Sequence, residues 1–302
     1  MISRASTVSA LILLLFLFIL SATAYAGAIS NIAAVNGTEV SYEIQGTGPA
    51  LVLLNDGILD KRMWDDQVKA FAAHYRVIRY DFRGWGRSSP PQEPFSPVDD
   101  LHALLTFLRI EKVALIGSFV GGGVAIDFAI EHPEMVSSVV VATPLLHGFR
   151  YSEATESWSQ TWYAVARADD KDRLLHLFMD NPTLGKRLKD IPPVRQRLET
   201  MLLDNFAVYR TDFSRLLLGA DPPALRLLPA VRTPTLIVAG ENVNPDLRII
   251  MEMLQRGVRD ARHITIPQTG QLANIERPEE FNRIVLEWLS KHAHEGEKFV
   301  SM

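Results

Sequence analysis

The stretch VALIGSFVGGGVAIDFAIEHPEMV, Val113–Val136, contains the pattern that decides the fold of this chain. It begins with a short apolar run, continues through a glycine-rich turn, and ends in a segment with helical spacing of its apolar residues. An apolar run bounded by turn residues predicts a buried strand, and the pattern after it predicts a helix. We therefore predict a sharp strand–turn–helix unit, with Ser118 next to the turn.

Strand-like and helix-like segments alternate on both sides of this unit. The buried runs are ALVLLND, YRVIRYDF, VSSVVVAT and PTLIVAG, and amphipathic segments separate them. This alternation predicts an α/β protein with a mostly parallel twisted sheet flanked by helices. Asn36-Gly37 lies between two alternating runs and predicts a hairpin. From about Gly148 to Leu228 no strand-like run occurs, so a helical insertion is predicted there.

The N-terminus has the features of a secretory signal. Arg4 precedes the apolar run 10–20, and ATAYAG follows with Ala24 and Ala26 at the spacing of a cleavage site. The run is short, because a membrane span needs roughly 20 apolar residues. We predict cleavage after Ala26, a secreted or periplasmic protein, and no membrane span after cleavage. An uncleaved membrane anchor is the alternative.

The composition excludes several classes of function. The chain has 302 residues, of which 47% are hydrophobic and 22% charged, as in an ordinary globular protein. The net charge of −4 without a basic run predicts no nucleic-acid partner. The absence of cysteine excludes disulfides, a cysteine nucleophile and thiolate metal sites. No metal-binding motif or phosphate loop occurs, so no metal and no cofactor are predicted.

Several segments resemble, in the right order, motifs of the α/β-hydrolase superfamily. These are YDFRGWGRS at 80–88, GSFVGG at 117–122, PTLIVAGENVNPD at 234–246 and IPQTGQLANIERPEEFNRIVLEWL at 266–289. The chain is identified on these residues as similar to the capped, single-domain α/β hydrolases. The resemblance implies an α/β-hydrolase fold with a helical cap. The predicted division is a signal peptide at 1–26, a core at 27–147 and 229–302, and a cap at 148–228.

The resemblance places the nucleophile of such enzymes at the centre of a G-x-S-x-G turn, where this chain has Phe119. Phenylalanine has no nucleophilic group. A frame shifted to Ser118 would put the β-branched residues Ile116 and Val120 where the turn requires small ones. We therefore predict that Ser118 ends its strand and bonds locally, and it is the nucleophile only in the alternative of an active enzyme.

The same resemblance locates the other two triad positions. The residue that matches the acid is Val243, and the residue that matches the base is Gln271. Neither an alkyl group nor an amide accepts a proton near neutral pH, so Val243 cannot replace the acid and Gln271 cannot replace the base. Asp246 follows closely and is predicted to be a charge at a helix N-terminus, where the helix dipole favours it.

The turn at the end of the predicted strand ALVLLND has the sequence Asn55-Asp56-Gly57, on the side where the resemblance implies an oxyanion hole. Backbone N–H groups near Gly57 and of Val120 would form a polar pocket there. Asp56 has two open orientations: inward, where its charge would oppose an oxyanion, or toward solvent. His147 follows a strand at the same edge, with a functional role or a packing role as the alternatives.

The sequence therefore predicts an exported α/β-hydrolase-fold protein without the Ser-His-Asp triad, a pseudohydrolase that binds a small apolar ligand or a protein partner. The alternative is an active esterase-like hydrolase with an unconventional site built from Ser118, Asp56 or His147. The predicted binding residues are Asn55, Asp56, Gly57, Phe119, Val120, His147, Val243 and Gln271.

Overall fold

The structure of the chain is a computed structural model that describes residues 29–211 and 216–292. The predicted signal peptide lies outside the described residues, so its cleavage stays a prediction. Within the described ranges, no helix combines the length and the apolar character that crossing a membrane requires.

Eight strands form one twisted sheet. They are β1 (Ile29–Val35), β2 (Thr38–Gln45), β3 (Ala50–Leu54), β4 (Arg76–Tyr80), β5 (Val113–Ser118), β6 (Val136–Ala142), β7 (Thr235–Gly240) and β8 (Ala261–Ile266). The order across the sheet is β1-β2-β4-β3-β5-β6-β7-β8, with β2 antiparallel to both of its neighbours and the other pairs from β4 to β8 parallel. The central strands β5 and β7 are buried along their whole length, which explains their continuous apolar sequences. The predicted α/β-hydrolase sheet is confirmed.

Helices cover both faces of the sheet, as parallel crossovers require. They are α1 (Asp65–Ala72), α2 (Pro97–Phe107), α3 (Val120–Glu131), α4 (Glu153–Arg167), α5 (Lys171–Met179), α6 (Pro192–Asp204), α7 (Phe206–Arg210), α8 (Ala224–Leu227), α9 (Pro245–Gly257), α10 (Ala273–Glu276) and α11 (Pro278–His292). Helix α3 packs against β3, β5 and β6 at the centre of the molecule. The predicted hairpin is confirmed, since Asn36 and Gly37 join β1 to β2 with φ of +47° and +69°.

The segment YDFRGWGRS forms a buried ionic loop. The Asp81 carboxylate accepts hydrogen bonds from Lys61 Nζ at 2.6 Å and from the Lys61 N–H at 3.0 Å. A Cβ at Gly86 would lie 2.3 Å from Asp81 Oδ2, so only glycine fits there. Arg83 Nε donates to Asp100 at 2.6 Å, which fastens the loop to α2. These contacts give the motif a structural role.

Helices α4 to α8 form a helical insertion between β6 and β7. Its helices begin at Glu153 and end at Leu227, inside the predicted cap of 148–228, whose boundaries stay a prediction. Polar contacts fasten the insertion to the sheet domain. Asn205 Nδ2 donates to Asp60 at 2.9 Å, and Arg197 Nη2 donates to Asp66 at 2.5 Å. The insertion therefore covers the edge of the sheet where β3 and β5 end.

Candidate functional site

The turn between β5 and α3 has Phe119 at its centre. This residue has φ of +39° and ψ of −101°, a backbone conformation that costs energy for any residue except glycine. Hydrogen bonds hold it in place: the Phe119 N–H donates to Ala142 O at 3.1 Å, and its carbonyl accepts from the N–H groups of Gly123 and Leu145, each at 3.0 Å. The strained position at the centre of this turn thus carries an aromatic ring.

The glycines around this turn define its frame. A Cβ at Gly117 would lie 2.1 Å from the Gly121 carbonyl oxygen, and a Cβ at Gly121 would lie 2.4 Å from that of Leu54. Both distances are far below van der Waals contact, so neither position accepts a larger residue. Because these glycines stand two residues before and two residues after Phe119, the frame of the turn is centred on Phe119 and not on Ser118.

Ser118 is the last residue of β5 and has no exposed surface. Its Oγ is buried without a hydrogen-bond partner, so the prediction that Ser118 bonds locally is wrong. In the part of the chain that the structure describes, no histidine therefore lies within hydrogen-bond distance of this hydroxyl. It lacks both the base and the access that a nucleophile requires.

Two backbone N–H groups on the oxyanion side are already bonded to carbonyls. The Val120 N–H donates to the carbonyl of Asp56 at 3.3 Å, and the Gly121 N–H donates to that of Asn55 at 3.0 Å. The Val120 side chain also fills the space beside Gly57, because a Cβ at Gly57 would lie 2.5 Å from Val120 Cγ2. The N–H group of Val120, expected to face a pocket, instead joins α3 to the turn after β3.

Asp56 is fully buried, so its solvent-facing orientation, one of the two open alternatives, is wrong. Its Oδ1 accepts from the N–H groups of Ile58 at 2.8 Å and Leu59 at 2.6 Å, while Oδ2 is buried without a partner. Burial raises the pKa of Asp56 to about 6, although these N–H groups lower it in part. Asn55 is also fully buried and donates to Leu59 O at 2.9 Å. Both side chains shape the turn.

Val243 and Gln271 stand near the ends of β7 and β8, and each is 6% exposed. The Gln271 N–H donates to Thr183 O at 2.8 Å, and its carbonyl accepts from Thr143 Oγ1 at 3.2 Å. These backbone contacts connect the segment after β8 to the helical insertion and to β6.

Asp246 lies in the first turn of α9, at the place expected for it. Its Oδ2 also accepts from Ser152 Oγ at 2.7 Å and Thr155 Oγ1 at 2.6 Å. Burial raises the pKa of Asp246, but the hydrogen bonds from Thr155 and Ser152 outweigh it, and the pKa lies below the ordinary value. The carboxylate therefore anchors the N-terminus of α4 to α9, a contact that sequence reasoning missed.

His147 pairs with Asp127 of α3 through its Nδ1. Burial lowers the pKa of His147, but the hydrogen bond and the charge of Asp127 raise it on balance. Asp127 is 1% exposed, and it was missed at the sequence level. The available signal was a lone carboxylate on the otherwise apolar face of a helix.

A cavity of about 470 Å³ lies between the turn and the helical insertion. Of the residues predicted to bind a ligand, Gly57, Phe119 and Val120 line it. The other predicted binding residues do not line it: Asn55, Asp56, His147, Val243 and Gln271. Aromatic side chains that sequence reasoning did not select dominate its wall: Trp85, Tyr151, Trp158, Trp162, Tyr163 and Tyr209. A more open groove of about 530 Å³ at the β1–β2 turn shares no lining residue with this cavity.

Trp158 and Trp162 are one helical turn apart on α4, which was the available signal that both face one side. Their rings stack with centroids 5.5 Å apart, and Tyr209 of α7 meets Trp162 edge-on at 5.1 Å. We call these three residues the aromatic wall. Among the described residues, no group of three or more histidine, aspartate and glutamate side chains could hold a metal ion.

The family model described as the alpha/beta hydrolase family matches residues 51–284. The chain belongs to the alpha/beta hydrolase family. The matched range includes the turn with Phe119 as well as Val243 and Gln271.

Similar proteins cover most of the chain. A 3-oxoadipate enol-lactonase 1 of Acinetobacter baylyi is 29% identical over 257 residues, which are 82% of this chain and 92% of that protein. A 2-hydroxy-6-oxononadienedioate/2-hydroxy-6-oxononatrienedioate hydrolase of Burkholderia vietnamiensis is 30% identical over 282 residues, 85% of this chain and 93% of its own. The crystal structure of the enol-lactonase from Burkholderia xenovorans LB400 has a TM-score of 0.73 and 25% identity, and covers 86% of this chain and 100% of its own.

Proposed function

We propose that this member of the alpha/beta hydrolase family is a pseudohydrolase, without Ser-His-Asp catalysis, that binds a small apolar molecule in the cavity above Phe119. The conformation of the turn carries the proposal. Phe119 takes the strained position with φ of +39°, and the next N–H group, that of Val120, is bonded to the Asp56 carbonyl. Acyl transfer requires a nucleophile and free donors for the oxyanion, and this turn offers neither.

The remaining triad positions support the same proposal. Val243 and Gln271 have no group that could orient or act as a general base. The relatives named above are a lactonase and a hydrolase, so we propose that this chain retains their fold and the place of their cavity without their chemistry. Loss of a single triad member typically removes orders of magnitude in rate, and here all the equivalent positions differ.

The cavity suits a small apolar ligand. Its volume of about 470 Å³ lies within the range of ligand sites, and its wall is mostly aromatic. Phe119 lines the floor and does not fill the space. We propose further that the mature protein is secreted or periplasmic, on the strength of the N-terminal sequence. N-terminal sequencing of the protein from the periplasm or the medium tests this, and an intact Met1 would contradict it.

The alternative of an active esterase requires Ser118, Asp56 or His147 to reach a substrate. Ser118 and Asp56 have no exposed surface, and His147 does not line the cavity. The positions of these three side chains therefore do not support this alternative.

The proposal is tested on the purified mature protein with a panel of p-nitrophenyl esters and enol-lactones, and with a fluorophosphonate probe. We expect no turnover above the buffer rate and no labelling. Turnover that Ser118→Ala abolishes would contradict the proposal. Nile red, a neutral apolar dye, is expected to bind, and Phe119→Trp should weaken its binding by filling the cavity floor. The absence of any Nile red binding would contradict the ligand-binding part.

A further inference from the structure

The rings of the aromatic wall hold one another in fixed positions beside the cavity. Trp162 is 4% exposed and packs between Trp158 and Tyr209, so its orientation is determined on both sides. The Tyr209 hydroxyl donates to the carbonyl of Ile58 at 2.5 Å, which fixes that ring too. The π-electron faces of such rings are negative and attract cations, tryptophan most strongly.

Acidic side chains lie in and directly behind the described lining of the cavity. Of the described residues that line the cavity, Glu156 alone is charged, and it forms no ion pair with the described chain. Directly behind the lining, the carboxylates of Asp56 and Asp246 are buried, and their described partners are N–H and hydroxyl groups. Asp60, by contrast, is neutralised by Arg62 at 2.6 Å.

Two phenols of the lining respond to this charge. Burial raises the pKa of Tyr151 to about 12, and the charge of Asp246 contributes to the rise. Burial also raises the pKa of Tyr209 well above its ordinary value, and the charges of Asp56 and Asp60 add to the rise while that of Arg62 opposes it. Burial is the larger cause at both phenols, and the carboxylate contributions place negative charge close behind the two rings.

We infer that the cavity selects an apolar cation, such as an aryl- or alkyl-substituted quaternary ammonium, which the aromatic wall and Glu156 would hold. An anionic ligand would be repelled by carboxylates that have no described cationic partner. A neutral ligand would make no ionic contact with Glu156. This inference rests on the proposed ligand-binding function and names the class of its ligand.

The test compares benzyltrimethylammonium with neopentylbenzene, its uncharged isostere, and with phenylacetate, an anion of similar size. Quenching of tryptophan fluorescence reports binding to the full mature chain. We expect the cation to bind about tenfold or more tightly than the isostere, which is a typical gain for a desolvated cation on aromatic rings. Phenylacetate is expected not to bind.

Two variants test the named residues. Trp158→Leu keeps an apolar surface and removes the indole, so it should weaken cation binding about tenfold and change binding of the isostere less than threefold or so. Glu156→Gln should weaken cation binding about threefold, and this loss should shrink as salt is added. Glu153→Gln is the matched control, because Glu153 is exposed on the same helix and does not line the cavity. It should leave the affinity unchanged.

The outcomes separate this inference from the function on which it rests. Equal or tighter binding of neopentylbenzene or phenylacetate would overturn the cation selectivity and leave the ligand-binding function standing. Tight cation binding that is indifferent to both Trp158→Leu and Glu156→Gln would also overturn it. Failure of all three probes and of Nile red would overturn both proposals.

Discussion

Two buried serines on neighbouring strands differ in whether their hydroxyl groups are hydrogen-bonded. Ser118 of β5 and Ser138 of β6 are both without exposed surface. Ser138 Oγ accepts from Trp288 Nε1 at 2.8 Å, whereas Ser118 Oγ has no partner. A buried polar group without a partner costs free energy that a bonded one recovers. The serine beside the turn is therefore a destabilising residue in the folded chain.

We expect Ser118→Ala to leave the free energy of unfolding unchanged or to raise it by about 1 kcal/mol, since it removes an unpaired hydroxyl. Ser138→Ala, the matched variant, should lower it by about 1–3 kcal/mol, because it leaves the Trp288 N–H unpaired. Urea denaturation at neutral pH measures both. A larger loss in Ser118→Ala than in Ser138→Ala would show that Ser118 has a stabilising partner.

Asp56 and Asp246 should give pH effects of opposite sign. Burial places the pKa of Asp56 at about 6, above its ordinary 3.8, so the folded chain binds this proton more tightly than the unfolded chain does. Its contribution to stability is present below pH 3.8 and is lost as pH rises through about 6. Asp56→Asn should therefore gain stability relative to wild type, on the order of 2 kcal/mol, between about pH 4 and pH 7.

Asp246→Asn is the matched variant, because the pKa of Asp246 is lowered from 3.8. Its contribution is present above that value and is lost as pH falls through the lower folded pKa. The variant should therefore lose stability relative to wild type as pH rises from about 3 to 6. Denaturation curves of the three proteins across this range provide the measurement. A difference from wild type that does not vary with pH would contradict the pKa shift of the residue concerned.

At the scale of elements, the unit β5–turn–α3 depends on close approach of main chains. Helix α3 starts directly against the end of β3, and the carbonyls of Leu54 and Asn55 contact Gly121. The same approach lets the N–H groups at the start of α3 bond to carbonyls of the turn after β3. The glycines thus bring the turn after β3 and the start of α3 together, and hydrogen bonds join the two segments across the contact.

Gly121→Ala should destabilise the protein by about 3 kcal/mol or more, because the added Cβ would meet backbone atoms that cannot move independently. Gly37→Ala is the control. No atom lies within 4 Å of its added Cβ, and only the φ of +69° opposes alanine, at a cost of about 1 kcal/mol. Chemical denaturation compares them. Similar losses of unfolding free energy in the two variants would contradict the close approach of main chains at Gly121.

At the scale of the whole molecule, Asn205 joins the helical insertion to the sheet domain. Its Oδ1 accepts from the Gly86 N–H at 2.7 Å, and its Nδ2 donates to Asp60 at 2.9 Å and to Met201 O at 2.7 Å. The side chain is 2% exposed, so water does not replace these bonds easily. The insertion therefore rests on a small number of buried polar contacts as well as on its aromatic packing.

Asn205→Ala should lower the free energy of unfolding by about 2–4 kcal/mol, since it leaves several buried polar groups without hydrogen-bond partners. Hydrogen exchange should become faster in α6 and α7 and stay unchanged in β5 and β6, because the insertion opens separately from the sheet. The control is Gln196→Ala on the exposed face of α6, with an effect within about 0.5 kcal/mol. Faster exchange spread evenly over the chain would contradict separate opening.

The sequence predicted the sheet, the hairpin and Phe119 at the centre of the turn, because glycine spacing and apolar runs express local backbone requirements. It did not predict the bond from Val120 to the Asp56 carbonyl or the burial of Asp56, since both depend on segments distant in sequence. The hydrogen bond between His147 and Asp127 was not predicted for the same reason. Sequence analysis missed the aromatic wall because tryptophans at helical spacing indicate a buried face of a helix but do not identify the element that packs against it.

The stacked tryptophans of α4 have an optical consequence. Indole rings at a centroid distance of 5.5 Å and an interplanar angle of 25° couple their electronic transitions, so the pair has a circular-dichroism couplet that neither ring has alone. Because Tyr209 of α7 packs on the same pair, the couplet depends on the seating of one helix against the other. The chain contains 5 tryptophans, whose emission overlaps, but this couplet belongs to one location. The insertion thus carries its own label-free signal for the packing of α4 against α7.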